Sequence, residues 1–163
     1  VGMSNRNRHI ARNFSRAATR YEAHALLQHS IMLKAYQALA DRMQDSASIL
    51  DVGCGTGSFV KHAQKLRPQW NIDGADIALG MCDVARPCYR HMVCADMCML
   101  PYEATRYDGV FSNLAIQWAH HPQAAFAELS RVLKPSGVAV VSTFLHGTLS
   151  ELADISAKVG MDS

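Results

Sequence analysis

What this sequence is short of narrows its class before any motif is considered. Aromatic residues make up 7% of the 163 residues, prolines number five, and the net charge is only +2. No run approaches the roughly 18 consecutive apolar residues of a membrane-spanning helix. The longest apolar stretch, Val138–Leu145, is interrupted by Ser142 and Thr143. The first residues are rich in arginine and carry no apolar run of the kind a secretory leader needs, so none is expected. There are five cysteines, Cys54, Cys82, Cys88, Cys94 and Cys98, an odd number with no C-x-x-C pair. A disulfide framework would use an even number, and a zinc site would bring paired ligands close in sequence. Cys82, Cys88, His91 and Cys94 form a loose cluster, read as buried or idle thiols in preference to metal ligands, so no metal is expected. Thiols of this kind suit a reducing, cytoplasmic compartment.

What remains is an ordinary globular composition, 49% apolar and 18% charged, with enough chain for one sizeable core. The charge is unevenly placed. Residues 1–20 hold Arg6, Arg8, Arg12, Arg16 and Arg20 and no acid, a local +5 that leaves −3 for the rest. Arg8, Arg12, Arg16 and Arg20 recur every four residues and share one face of any helix there. Such a stripe suits an acidic partner; a solvated helix face is the competing reading. Nucleic acid fits poorly, because the remaining chain is acidic and contains no known binding module. A membrane partner is not expected either.

Residues 5–44 contain neither proline nor glycine. Ala25, Leu26, His29, Met32, Leu33, Tyr36, Leu39, Ala40 and Met43 recur at helical spacing, which predicts one or two helices with a break near Asn13–Ala18. Beyond them, short apolar runs alternate with helical patterns. The predicted strands are Ser48–Val52, Trp70–Asp76, His91–Ala95, Tyr107–Ser112 and a fully buried Val138–Phe144. The predicted helices are Ser58–Leu66, Leu79–Ala85 and Pro122–Leu133, the last with Phe126, Leu129, Val132 and Leu133 at core spacing. Lys134-Pro135-Ser136-Gly137 reads as a turn. The alternation implies βαβ units and a parallel sheet. The chain is expected to divide into a helical segment, residues 1–46, which the resemblance described below implies is a lid or docking segment, and an α/β core, residues 47–163.

Asp51-Val-Gly-Cys-Gly-Thr-Gly57 follows the first strand and opens a helix. Gly53, Gly55 and Gly57 allow a sharp turn and close approach of backbone to a ligand. The dinucleotide fingerprint G-x-G-x-x-G would want glycine at position 58, where Ser58 stands. Asp51 beside the loop would repel a pyrophosphate and suit a cationic amine and sulfonium, as in S-adenosylmethionine. A tight turn without a ligand is the alternative. Asp76 ends the second strand, where a carboxylate accepts ribose hydroxyls. Asp96 ends the third, where it can accept from an adenine amino group. Each alone is as well read as a helix cap or a solvated carboxylate. Together they line the edge of an open α/β sheet at which ligands bind.

Five segments, ILDVGCGTG (49–57), GADIALGM (74–81), CADMCMLPY (94–102), YDGVFSNLAIQW (107–118) and LSRVLKPSGVAVVSTF (129–144), resemble the class I S-adenosylmethionine-dependent methyltransferases. FSRAATRYEAHALLQ (14–28), SNLAIQW (112–118) and STFLHGTLSEL (142–152) are similar to the malonyl-acyl-carrier-protein O-methyltransferases of biotin synthesis. The resemblance spans residues 8–155. It implies a Rossmann-like sheet in the order 3-2-1-4-5 with helices on both faces. The family carries seven strands, and the sixth and seventh have no counterpart in this sequence.

The resemblance also implies roles. S-adenosylmethionine would be the cofactor, lying over Gly53, Cys54, Gly55 and Gly57, with Asp51 organising the loop and facing the amino group. Asp76 would hold the ribose and Ile77 the adenine face, while Asp96 and Met97 would flank the adenine. Asn113 and Leu114 would present backbone groups to the methionyl end. Tyr21 would close the pocket and offer its hydroxyl to the cofactor carboxylate, or else simply pack an amphipathic helix. Gln117 and Trp118 would line the substrate mouth, with burial in the core the competing reading for Trp118. Arg16 is a candidate for the substrate carboxylate, or a surface arginine. The implied reaction methylates the free carboxylate of a malonyl thioester on an acyl carrier protein. Two alternatives stand beside it: methylation of another small molecule, such as a quinone precursor or organic acid, and a cofactor-binding module without activity.

Overall fold

The computed structural model describes residues 24–144. The expected break near Asn13–Ala18 lies outside them. Residues 24–40 form one helix, α1. Its second half buries Met32, Ala35, Tyr36, Leu39 and Ala40, a stripe at the spacing that puts side chains on one helix face. Its first two turns do not follow the expected burial: Leu26 is 70% exposed, and Ala25 and His29 are exposed as well. That part of α1 stands over a cavity instead of over the sheet.

Strands β1 (Ser48–Val52), β2 (Asn71–Asp76), β3 (Met92–Cys94), β4 (Tyr107–Asn113) and β5 (Leu133–Ser142) form one parallel sheet in the order β3-β2-β1-β4-β5. Helices α2 (Ser58–Leu66), α3 (Leu79–Ala85) and α4 (Pro122–Val132) make crossovers. A parallel sheet needs both faces covered, so its central strands read as near-continuous apolar runs. Ile49, Leu50, Val110 and Phe111 are accordingly fully buried. One face packs against α1, α2 and α3 through Tyr36, Leu39, Phe59, Val60 and Cys82. The other packs against α4 through Ala125, Leu129 and Val132. This is the Rossmann-like sheet order, with helices on both faces, that the resemblance implied.

Three expectations need correction. Phe126 is not a core residue of α4 but 51% exposed, because the buried stripe runs through Ala125 instead. The fifth strand begins at Leu133, not Val138, and it is not fully buried. It forms the outer strand of the sheet among the described residues, so only one of its sides has a neighbouring strand. The expected turn at Lys134–Gly137 lies within β5 as an irregularity. Pairing jumps from Tyr107 with Leu133 to Gly109 with Val138, so the turn residues are looped out opposite Asp108. Lys134 Nζ donates to Asp108 Oδ1 at 2.8 Å across that gap.

The topology creates the site. The chain passes from β1 outward to β2 and β3, then returns to β4 on the other side of β1. Such a reversal of strand order opens a crevice at the carboxyl ends of the strands. Side-chain anchors hold the surrounding loops. Glu128 Oε2 accepts the Leu100 N–H at 2.7 Å, while Arg131 donates to the carbonyls of Leu100 and Tyr102 at 3.0 and 2.8 Å. The segment between β3 and β4 is thereby pinned to α4. Behind the crevice, buried Asp73 on β2 accepts two bonds from Arg90, each 3.0 Å, and one from Tyr107 at 2.9 Å.

Candidate functional site

The loop after β1 turns through three glycines of positive φ, Gly53, Gly55 and Gly57. At Gly53 an added Cβ would lie 2.3 Å from the Ala115 Cβ, so backbone and neighbour meet without room for a side chain. At Gly55 an added Cβ would meet nothing within 4 Å. There the glycine leaves the backbone open to the crevice. The Ala75 carbonyl accepts the N–H groups of Gly53 and Cys54 at 2.8 and 3.2 Å. Asp76 accepts the Gly55 N–H at Oδ2 (2.8 Å) and the Ala78 N–H at Oδ1 (2.9 Å). Asp76 therefore fastens the glycine loop to the end of β2. Each carboxylate oxygen has a second acceptor position, so this role leaves capacity for ligand hydroxyls.

Two adjoining cavities open above the loop. The first, about 470 Å³, has Asp51, Phe111 and Asn113 among its walls and Ala25, Gln28, His29 and Met32 of α1 over it. The second, about 340 Å³, is lined by Asp76, Ile77, Asp96, Met97 and Trp118 among others. Gly53, Gly55, Met81 and Leu114 line both. One elongated ligand could therefore lie across the loop with an end in each cavity. Among the described residues, no lysine or arginine lines either cavity, which disfavours a phosphate group.

Asp51 is 2% exposed and accepts a hydrogen bond from the Tyr89 hydroxyl. Burial pushes its carboxyl from 3.8 up to about 7; the Tyr89 bond holds it down in part, and the nearby Asp76 carboxylate adds to the rise. Among the described residues no cation pairs with it, and a buried carboxylate so placed is a prepared seat for one. Burial likewise raises the Cys54 thiol, with Asp51 and Asp76 adding to it. It lines the first cavity as a neutral thiol and not as a nucleophile. Asp96 accepts the Cys98 N–H at Oδ1, 2.8 Å away, and its other oxygen is available to a ligand.

Several residues sit otherwise than their motif suggested. Gly57 lines neither cavity; it precedes α2 and packs near Tyr89, 3.4 Å from where its Cβ would be. Leu114, at φ 52°, gives its N–H to the Ser142 carbonyl at 3.0 Å, leaving its own carbonyl to present. Asn113 Oδ1 accepts from the Ser142 hydroxyl at 2.6 Å. Gln117 accepts from Thr143 at 3.1 Å and lines neither cavity. Trp118 is 79% exposed at the second cavity, so the buried-core reading is wrong. Tyr21 and Arg16 lie outside the described residues. Gln28, His29, Met81 and His120 line the cavities without having been singled out for it. His29 did belong to the helical stripe, but spacing alone does not say whether a stripe faces core or cavity. Among the described residues, no group of three or more His, Cys, Asp or Glu side chains could hold a metal ion.

The residues present fit a nucleoside ligand with a cationic far end. Asp76 and Asp96 can accept from hydroxyl and amino groups, Ile77 and Met97 offer apolar contact, and Asp51 waits in the first cavity. The model of the methyltransferase domain matches residues 50–141, more than half the chain. The chain belongs to the methyltransferase-domain family. Its match takes in the glycine loop, both acidic strand ends and β4. Among relatives of this domain, a malonyl-[acyl-carrier protein] O-methyltransferase from a Methylovorus species is 38% identical over 154 residues, covering 88% of this chain and 52% of that protein. A biotin biosynthesis bifunctional protein BioHC from Cellvibrio japonicus is 38% identical over 146 residues, covering 88% of this chain and 28% of that one. The chain thus spans about half the length, or less, of these methyltransferase relatives. A SAM-dependent methyltransferase of known structure from Thermotoga maritima superimposes with a TM-score of 0.62 at 23% identity, over 88% of this chain and 66% of that one.

Proposed function

We propose that this chain binds S-adenosylmethionine and belongs to an enzyme that methylates the free carboxylate of a malonyl thioester carried by an acyl carrier protein, in biotin synthesis. The observation that carries the cofactor reading is the pair of adjoining cavities, with a buried Asp51 that has no cationic partner among the described residues in one and Asp76 and Asp96 in the other. The acceptor reading is supported by the relatives' names and by the segments similar to them.

Bound S-adenosylmethionine supplies a methyl group on a sulfonium, an electrophile open to displacement by a carboxylate. Asp51 holds the cationic amino end. Asp76 holds the ribose while keeping Gly55 in place, and Asp96 accepts from the adenine amino group between Ile77 and Met97. Asn113 and the Leu114 carbonyl face the methionyl half, with Trp118 at the mouth. A malonyl carboxylate is already ionised at neutral pH, so these residues need supply no general base. Their contribution is alignment of the two reacting groups. The Arg8–Arg20 stripe supplies the cationic surface for an acidic carrier protein.

The test is methyl transfer from labelled S-adenosylmethionine to malonyl-carrier protein, to a small malonyl thioester and to free organic acids, with cofactor binding measured by calorimetry. Binding and transfer to the malonyl carboxylate are expected. Absence of binding would remove the cofactor reading. Binding with transfer only to another acid would replace the acceptor.

A further inference from the structure

The buried stripe of α1 continues over the first cavity and changes character there. Ala25, the adjacent pair Gln28 and His29, and Met32 each lie three or four residues from the next, in line with the pairs Ala35–Tyr36 and Leu39–Ala40. These spacings keep all of them on one helix face. Where the face packs against protein, from Ala35 onward, it is apolar apart from the Tyr36 hydroxyl. Where it faces the cavity, it carries an amide and an imidazole, Gln28 and His29. A face needed only for packing has no use for either group.

We propose that Gln28 and His29 form a carboxylate-recognition pair over the first cavity; this rests on the cofactor reading above. Asp51 at the end of β1 lines the same cavity and attracts the cationic end of a ligand and repels an anionic one. Among the described residues lining this cavity, the titratable groups are His29, Asp51 and Cys54, and only His29 can carry positive charge. A carboxylate entering the cavity is driven away from Asp51 and toward α1. There the Gln28 amide and an imidazole N–H can donate to its two oxygens, and protonated His29 makes the bond charge-assisted. Two carboxylates of the same chemistry reach this space: that of the cofactor's amino-acid end and that of the methyl acceptor.

The experiment separates them. His29→Ala, His29→Arg and Gln28→Ala variants of the full chain are titrated with S-adenosylhomocysteine and with its decarboxylated analogue, which differs only by the missing carboxylate. KM for a malonyl thioester is measured in parallel. If the cofactor carboxylate is the one recognised, His29→Ala lowers affinity for S-adenosylhomocysteine about tenfold or more. The decarboxylated analogue is then unaffected, and His29→Arg restores the loss. If the acceptor carboxylate is recognised, both nucleosides bind as before, KM for the malonyl thioester rises, and arginine again rescues. Equal loss for both nucleosides, or no change in any arm, overturns the proposal. His29 is exposed, and a thermal melt of each variant with His29→Gln as the neutral control identifies any folding defect. If the unaltered chain binds neither nucleoside, the cofactor reading itself is what fails.

Discussion

With Asp51 as the proposed seat of the cofactor's amine, binding should release protons, and the expected size of the effect follows from the surroundings of Asp51. The carboxyl is 2% exposed, has the Tyr89 hydroxyl as its donor, and titrates near pH 7 because burial raises it from 3.8. A cationic amine placed beside it favours the ionised form and pulls the pKa back down. Binding then expels about 0.9 proton at pH 6, about half a proton at pH 7 and about 0.1 at pH 8. Affinity correspondingly rises about tenfold from pH 6 to pH 8. The assay is calorimetry with decarboxylated S-adenosylhomocysteine, which keeps the amine and removes the carboxylate from the comparison. Enthalpies in phosphate and Tris should differ in proportion to the protons released. Asp51→Asn should abolish that difference and weaken binding at pH 8. The same shift acts on folding. Because the folded pKa lies above the unfolded one, the native chain binds more protons between about pH 4 and pH 7, and stability falls as pH rises through that window. Asp51→Asn should therefore raise stability at pH 8, by a few kcal/mol at most, since the shift of about three units corresponds to about 4 kcal/mol. Buffer-independent enthalpies together with a flat affinity profile would refute this account of the site.

Other substitutions probe the remaining parts. Asp73→Ala should destabilise the chain by about 2–4 kcal/mol in chemical unfolding, opposite in sign to Asp51→Asn, because Asp73 is buried among partners, with two bonds from Arg90 and one from Tyr107; the exposed part of Arg90 keeps the figure below the top of the usual range. Asp76→Ala should weaken nucleoside binding by about 1.5–3 kcal/mol and speed hydrogen exchange at the Gly55 amide, whose acceptor it removes; equal affinities would rule out its ligand role. Gly53→Ala should lower the melting temperature through both its positive φ and the 2.3 Å overlap with Ala115, at a cost of about 1–3 kcal/mol. Adding Ala115→Gly should recover only the part due to overlap. Arg8→Glu with Arg12→Glu should impair transfer to carrier protein more than to a small thioester, with the gap closing at high salt; equal losses on both substrates would dismiss the docking role.

Local signals sufficed for the first four strands, the helices and the place of the glycine loop, but not for the start or the exposure of β5, which depend on its pairing with β4. Ile49, Leu50 and Val52 in a short run stopped by Gly53, and Phe59, Val60 and Ala63 at helical spacing, specify their elements with little help from distant chain. The three acids at strand ends were legible for the same reason, since each stands next to its own strand. What these groups face depends on packing between distant parts of the chain. Asp51 and Asp73 are both buried carboxylates on adjacent strands. Among the described residues one has no cation beside it at a cavity and the other is clasped by Arg90 and Tyr107, and nothing local distinguishes them. His29 and Tyr36 belong to the same helical stripe, yet one lines a cavity and the other packs against Phe59 and Trp70. Periodicity fixes which residues share a side of a helix. Whether that side meets core or open space depends on where the sheet ends beneath it, which is a property of strands packed together from across the chain.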